Sequence, residues 1–145
     1  MSMMDIFESL GRADALKLRD EAGGLTGTQI IAREIAVPAW QADRDYSAWP
    51  VGAPVTDEGQ VWLLIQPHDA AGYEGRPGTL RALWGLAHTT DPARAKPWVD
   101  PYGTSGMYMA GECYRAEDGA VYQAMEDNLT RDAQALPGSW EEVSV

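Results

Sequence analysis

The sequence predicts a mainly β protein with an α-helical N-terminus: two short helices followed by two small three-stranded β-modules in tandem. Three observations predict it. Two capped apolar segments precede Pro38. Beyond Pro38, glycine, proline and aromatic residues become frequent, and apolar runs shorten to strand length. The aromatic and glycine landmarks of one such stretch then recur in order in another. The expected division is 1–37 for a helical segment that oligomerises or docks, 38–90 for the first module and 96–145 for the second.

The first helix is expected over residues 4–21. Asp5 with Glu8 resembles a capping box, and Ile6, Phe7, Leu10, Ala13 and Leu16 form an apolar stripe that Gly11 weakens. Gly23-Gly24 ends it. Thr26 caps a second helix, with Gln29 three residues on. Ile30, Ile31, Ile35 and Val37 are its apolar residues, and Pro38 stops it. Helices this short are marginal alone in water, so their faces must dock. The sequence leaves two options open: docking on the chain's own β-part, or assembly with copies of the chain or a partner.

Strands are expected over 54–56 and 60–66, joined by the acidic turn Asp57-Glu58-Gly59, and over 80–86 around Trp84. The polar stretch 89–96, TTDPARAK, reads as a linker. The second unit begins at Trp98. It runs through Tyr108, Gly111 and Tyr114, turns at Glu117-Asp118-Gly119, continues through Val121-Tyr122 and closes with a strand over 140–143. The steps Trp49 to Gly52, Gly52 to Val55 and Gly59 to Trp62 are each three residues, as are Tyr108 to Gly111, Gly111 to Tyr114 and Gly119 to Tyr122. Trp40 precedes the first set and Trp98 the second, and Pro77 and Trp84 answer Pro137 and Trp140. This is the pattern of a degenerate internal duplication.

Composition narrows the function. The net charge of −11 disfavours phosphate neutralisation on nucleic acid and attraction to an anionic membrane. The one cysteine excludes an intrachain disulfide. No apolar run approaches the roughly 20 residues a membrane-spanning helix needs. The N-terminal stretch has neither the basic nor the long apolar region of a secretory signal, so synthesis in a cytoplasm is expected. With Trp 6 and Tyr 6 against Phe 1, the aromatic residues combine apolar area with a polar edge, a usage suited to small cores, interfaces and sugar platforms.

Tyr108-Met-Ala-Gly111, Gly119-Ala-Val-Tyr122 and Pro137-Gly-Ser-Trp140 resemble the family V/XII carbohydrate-binding modules of chitinases, closely over 98–143 and more loosely over 38–87. Tandem modules behind a helical N-terminus resemble small bacteriophage and prophage tail proteins. The segments Val61-Trp-Leu-Leu-Ile-Gln-Pro-His68, Trp98-Val-Asp-Pro101 and Trp140-Glu-Glu-Val143 carry that likeness. The resemblance implies a non-enzymatic tail, baseplate or fibre-associated protein of the virion. It further implies a homo-oligomer, such as a trimer, that meets other tail proteins and host-surface glycan. The alternative is a genuine glycan-binding module pair, lectin-like or accessory to a lytic enzyme. Chitin-binding members carry adjacent exposed aromatics after the second strand, where this chain has Ala124-Met-Glu-Asp-Asn128. A flat sugar platform is therefore missing at that place.

Trp40, Trp62, Trp84, Trp98, Tyr122 and Trp140 are expected as module-core aromatics. Trp49, Tyr73, Tyr102 and Tyr108, in loops or at unit edges, are the candidates for glycan or partner contact. His68 beside Asp69 and His88 near Asp91 lack a nucleophile or third group and read as surface polar residues. Cys113 reads as a small buried hydrophobe. The pairs Glu117-Asp118, Glu126-Asp127 and Glu141-Glu142 fit no calcium loop, and no glycine-rich loop precedes a helix. No catalytic residue, metal or cofactor is expected. Asn128-Leu-Thr130 has the form of a glycosylation sequon without a secretory context.

Overall fold

The computed structural model describes residues 3–145, with side chains described from residue 12 onward. The capping pair Asp5 and Glu8 and the apolar residues Ile6, Phe7 and Leu10 lie outside the described side chains. Helix α1 spans Met3–Glu21 and α2 spans Gly27–Ala32. The Thr26 capping box is formed: Gln29 N–H donates to Thr26 Oγ1 at 3.2 Å, and Thr26 N–H donates to Gln29 Oε1 at 2.9 Å. These two bonds satisfy amide donors that the first helical turn leaves unpaired.

Two helical expectations need correction. Leu16 is 50% exposed and Ala13 faces solvent, whereas Leu18 and Ala22 are buried. The last turn of α1 presents Leu18 to the β-part, and the 3-10 turn that follows it, Ala22–Gly24, presents Ala22. The second helix is also shorter than expected. It breaks at Arg33, and a 3-10 turn, Glu34–Ala36, follows. Pro38 disfavours a helical Val37, which sits extended (φ −83°, ψ 123°), and Ile35 is turned fully outward. Leu18, Ala22, Ile30, Ile31 and Val37 form one cluster with Val61 and Ala87. The described helical faces therefore dock on the chain's own first sheet.

That sheet has order β1-β2-β3, all antiparallel: β1 is Pro54–Asp57, β2 Gln60–Leu64 and β3 Trp84–Leu86. Strand β2 ends before Gln66. Strand β3 starts at Trp84 because residues 80–83 form a turn, with Leu83 and Trp84 N–H both donating to Leu80 O. The second sheet has order β4-β5-β6-β7: Lys96–Pro97, Cys113–Arg115, Val121–Ala124 and Trp140–Val143. It has four strands rather than three, because the stretch expected as a linker is built into it. Thr89 is 1% exposed and its carbonyl accepts from Cys113 N–H at 2.8 Å. Pro92 opens a 3-10 turn capped by Asp91, and β4 pairs in parallel with β5. Proline at a first helical position loses no needed hydrogen bond, so it does not mark a break here.

The two sheets follow one plan. Gly52 and Gly111 are both left-handed (φ 93° and 92°). Each N–H donates at 2.8 Å to the end of the central strand, Gly52 to Leu64 O and Gly111 to Ala124 O. Val55 pairs with Trp62 as Tyr114 pairs with Tyr122, and Leu64 pairs with Trp84 as Ala124 pairs with Trp140. At the outer edge Ala39 bridges Thr56 in parallel as Pro97 pairs with Arg115, so Trp40 and Trp98 hold matching places. One landmark moves. Residue steps match Trp49 with Tyr108, but Tyr46 occupies the equivalent position in the first unit. Tyr46 N–H donates to His68 O (2.7 Å) as Tyr108 N–H donates to Leu129 O (3.0 Å). Each ring lies edge-on to its last-strand tryptophan, 5.2 Å for Tyr46–Trp84 and 5.4 Å for Tyr108–Trp140.

Candidate functional site

The four residues expected to make outward contacts do not come together. Tyr108 is buried at 1% exposure, stacked between His88 (3.7 Å) and Trp98 (4.9 Å). Its expected edge position is therefore incorrect: pairing with Leu129 draws it into the second core. Trp49 is half-buried, edge-on to Tyr46 at 4.7 Å and covered by the Arg19 guanidinium at 4.5 Å. Tyr73 (49% exposed) lies edge-on to His68, and Tyr102 (62% exposed) sits in the small hairpin it closes with Ser105. No described ring contact joins any of the four to another.

The six residues expected in the cores divide. Trp62, Trp84 and Trp140 are buried. Trp40, Trp98 and Tyr122 are only half-buried and pack against the margins of their cores. Trp98 and Tyr122 are thus not interior residues; they line a cleft of about 1070 Å³ on the second unit. Its aromatic lining is Trp98, Tyr114, Tyr122 and Trp140.

The second unit's local structure makes this cleft. On β5 and β6, Tyr114 and Tyr122 face each other as a cross-strand pair, stacked at 5.6 Å and 27°. The Trp140 indole N–H is tied to Arg131 O at 2.9 Å, and the Trp98 indole N–H to Asp100 Oδ1 at 2.7 Å. Tyr114 accepts at its hydroxyl from Ala133 N–H at 2.9 Å, which fixes the 126–139 loop above the strands. Burial, opposed by that bond, raises the Tyr114 pKa, so the phenol stays a neutral donor at physiological pH. Polar groups ring the cleft: Glu117, Asp118 and Asp132 as carboxylates, Gln134 as an amide and Arg115 as the one cation.

In the first unit the matching surface is filled by its own loop. Arg76 donates to both carboxylate oxygens of Asp57, at 2.9 Å from Nε and 2.6 Å from a terminal nitrogen, and reaches Glu58 at 3.5 Å. Its guanidinium lies 5.5 Å over the Trp40 ring, and that of Arg81 lies 5.2 Å over Trp62. Trp40 and Trp62 hold the places of Trp98 and Tyr122. Sequence steps located the aromatics of both copies except Tyr46. They missed the open cleft, which depends on the loops: the first contributes Arg76 and Arg81, and the second contributes Asp132 and Gln134.

The histidines are not surface residues: His68 is 6% and His88 7% exposed. His68 occupies the place that Leu129 fills in the second unit, with Nδ1 2.7 Å from Gln66 O. His88 Nε2 lies 2.7 Å from Gly106 O, and burial lowers its pKa to about 4 despite that bond. It is a neutral packing group that ties the two units. Cys113 is buried at 2% and its thiol is pushed up to about 11 by burial, with the neighbouring carboxylates of Asp91 and Glu112 adding to the shift. A thiol held so far from its thiolate is a poor nucleophile at neutral pH. The three acidic pairs are solvent-exposed. Among the described residues there is no cluster of three metal-binding side chains and no helix long and apolar enough to cross a membrane.

Fold and cleft together define a duplicated, aromatic-cored β-unit behind a short helical segment. No protein-family model matches the chain, and no curated protein is significantly similar to it.

Proposed function

We propose that the chain is a non-enzymatic component of a phage-type tail, at the baseplate or a fibre, that docks a neighbouring tail protein or contributes to host-surface attachment. It acts in the virion after synthesis in the host cytoplasm, as a homo-oligomer for which a trimer is the working copy number. The tail context comes from the likeness of the two-module arrangement. The observation that carries the contact role is the contrast between the copies: one aromatic surface is filled by its own arginines, the other is open. A duplicated module can spend one copy on structure and keep the other for contact.

The second reading is a glycan-binding pair. The half-exposed Trp98 and Tyr122 rings beside an amide and carboxylates favour it, since sugar stacking needs an uncovered ring face with polar groups near it. Light scattering on the full chain and pull-down with insoluble cell-wall polysaccharide separate the two. Stable self-association with no glycan retention is expected. Retention that disappears in Trp98→Ala and Tyr122→Ala would favour the lectin reading. Trp49 and Tyr108 are unsuitable for that test, because one lies beneath Arg19 and the other is buried.

A further inference from the structure

The first unit carries an internal occupant on the surface that the second leaves open. Arg76 sits there with its guanidinium forked onto Asp57 and lying over Trp40. The second unit repeats the aromatic half of that arrangement with Trp98 and Tyr122. Its acidic half differs in origin. Ala116 stands where Asp57 would be, and the carboxylates come instead from the turn, Glu117 and Asp118, and from Asp132 on the facing loop. Asp118 Oδ1 accepts from Ala120 N–H and Asp132 Oδ1 from Ala135 N–H, which leaves the second oxygen of each without a described protein donor. None of the three is in a described ion pair. Arg115 lines the same cleft, so its lining holds three carboxylates against one guanidinium.

We propose that the cleft of the second unit takes an arginine side chain presented by an extended segment of a partner protein. The inference rests on the reading of the cleft as a contact surface and names the chemistry of its partner. A guanidinium suits it for three reasons. It stacks on aromatic faces, and its planar fork matches carboxylates. The protein's charge of −11 draws in a basic segment. The first unit shows the same type of ring surface holding the same group. A neutral sugar would leave the three carboxylates with Arg115 alone as counter-charge.

The test titrates the full-length protein, by calorimetry and tryptophan fluorescence, with acetyl-Gly-Pro-Arg-Pro-Gly-amide and with the same peptide bearing citrulline, an uncharged isostere of arginine. The arginine peptide is expected to bind saturably, about tenfold more tightly than the citrulline peptide. Binding should weaken with added salt and by a similar factor in the triple variant Glu117→Gln, Asp118→Asn, Asp132→Asn. Equal binding of the two peptides, or none of either up to the solubility limit, overturns the proposal. A parallel titration with a β-1,4-linked N-acetylglucosamine tetramer separates the failures. Sugar binding lost in Tyr122→Ala overturns the arginine occupant and keeps the cleft as a contact surface. If neither peptide nor sugar binds, and Tyr122→Ala leaves the oligomeric state unchanged, both readings fall. If the arginine peptide instead dissociates an oligomer of the chain, the occupant is a second copy and the partner-protein assignment is overturned.

Discussion

His88 makes the clearest case for what one residue does here. Its ring stacks on Tyr108 at 3.7 Å, its Nε2 reaches Gly106 O, and burial holds its pKa near 4. An unfolded histidine titrates near 6.5. Between those values the unfolded chain binds the extra proton, so the stabilisation is fully present above about pH 6.5 and is lost as pH falls toward 4. The loss is on the order of 3 kcal/mol. His88→Gln, which keeps an amide donor for Gly106 O, should flatten this acid slope in denaturant titrations at a series of pH values. An unchanged slope would mean that other groups set it. Gly52 and Gly111 allow a second comparison at this scale. Both are left-handed, so alanine strains either backbone, by about 1 kcal/mol. A Cβ at Gly52 would also stand 2.8 Å from Gly23 Cα, whereas at Gly111 the nearest atom is Thr90 Cγ2 at 3.6 Å. Gly52→Ala should therefore be clearly the more destabilising of the two by chemical denaturation.

At the scale of elements, the duplication was legible and the loops were not. Strand positions follow alternation and register, and those are written locally: Val55 opposite Trp62 and Tyr114 opposite Tyr122 could be placed from residue steps alone. Tyr46 could not, because the first unit inserts three residues between that tyrosine and Gly52, and Trp49 then falls at the matching step. The stretch 89–96 reads as a linker for a related reason. Its polarity and proline describe a turn, while its place in the sheet depends on the distant partners Cys113 and Tyr114. The cleft was illegible because its openness depends on what a loop does not cover. The Arg76–Asp57 pair that closes the first unit can be tested directly. Asp57 is buried and Arg76 about half exposed, so Arg76→Ala should lower stability measurably in denaturant titrations, less than a fully buried pair would because solvent reaches the guanidinium. Asp57→Asn in the same chain should recover part of that loss, since the cost lies in stranding a buried carboxylate. A double variant no more stable than Arg76→Ala would refute that explanation.

The whole molecule is held together by bonds between its two units and between helix α2 and the second unit. Gln60 Nε2 donates to Pro97 O at 2.9 Å, Arg81 to Asp100 O at 2.9 Å, and the Thr28 and Thr90 hydroxyls meet at 3.1 Å. Val99, from the second unit, packs against the first unit's core of Tyr46, Trp62 and Trp84. Each sheet alone is small, and a three-stranded or four-stranded unit buries little apolar area by itself. A shared boundary of this kind makes the stability of each unit depend on the other. The expected behaviour is a single unfolding transition, with tryptophan fluorescence and far-UV circular dichroism coincident along a denaturant titration. Val99→Ala should lower that transition by roughly 1 kcal/mol, the loss of part of a half-buried side chain, and should leave the two probes coincident. Two separated transitions, only one of them moved by Val99→Ala, would instead describe independent units. The arginine-filled first unit would then give the second no support, and the open cleft would stand on a module that folds alone.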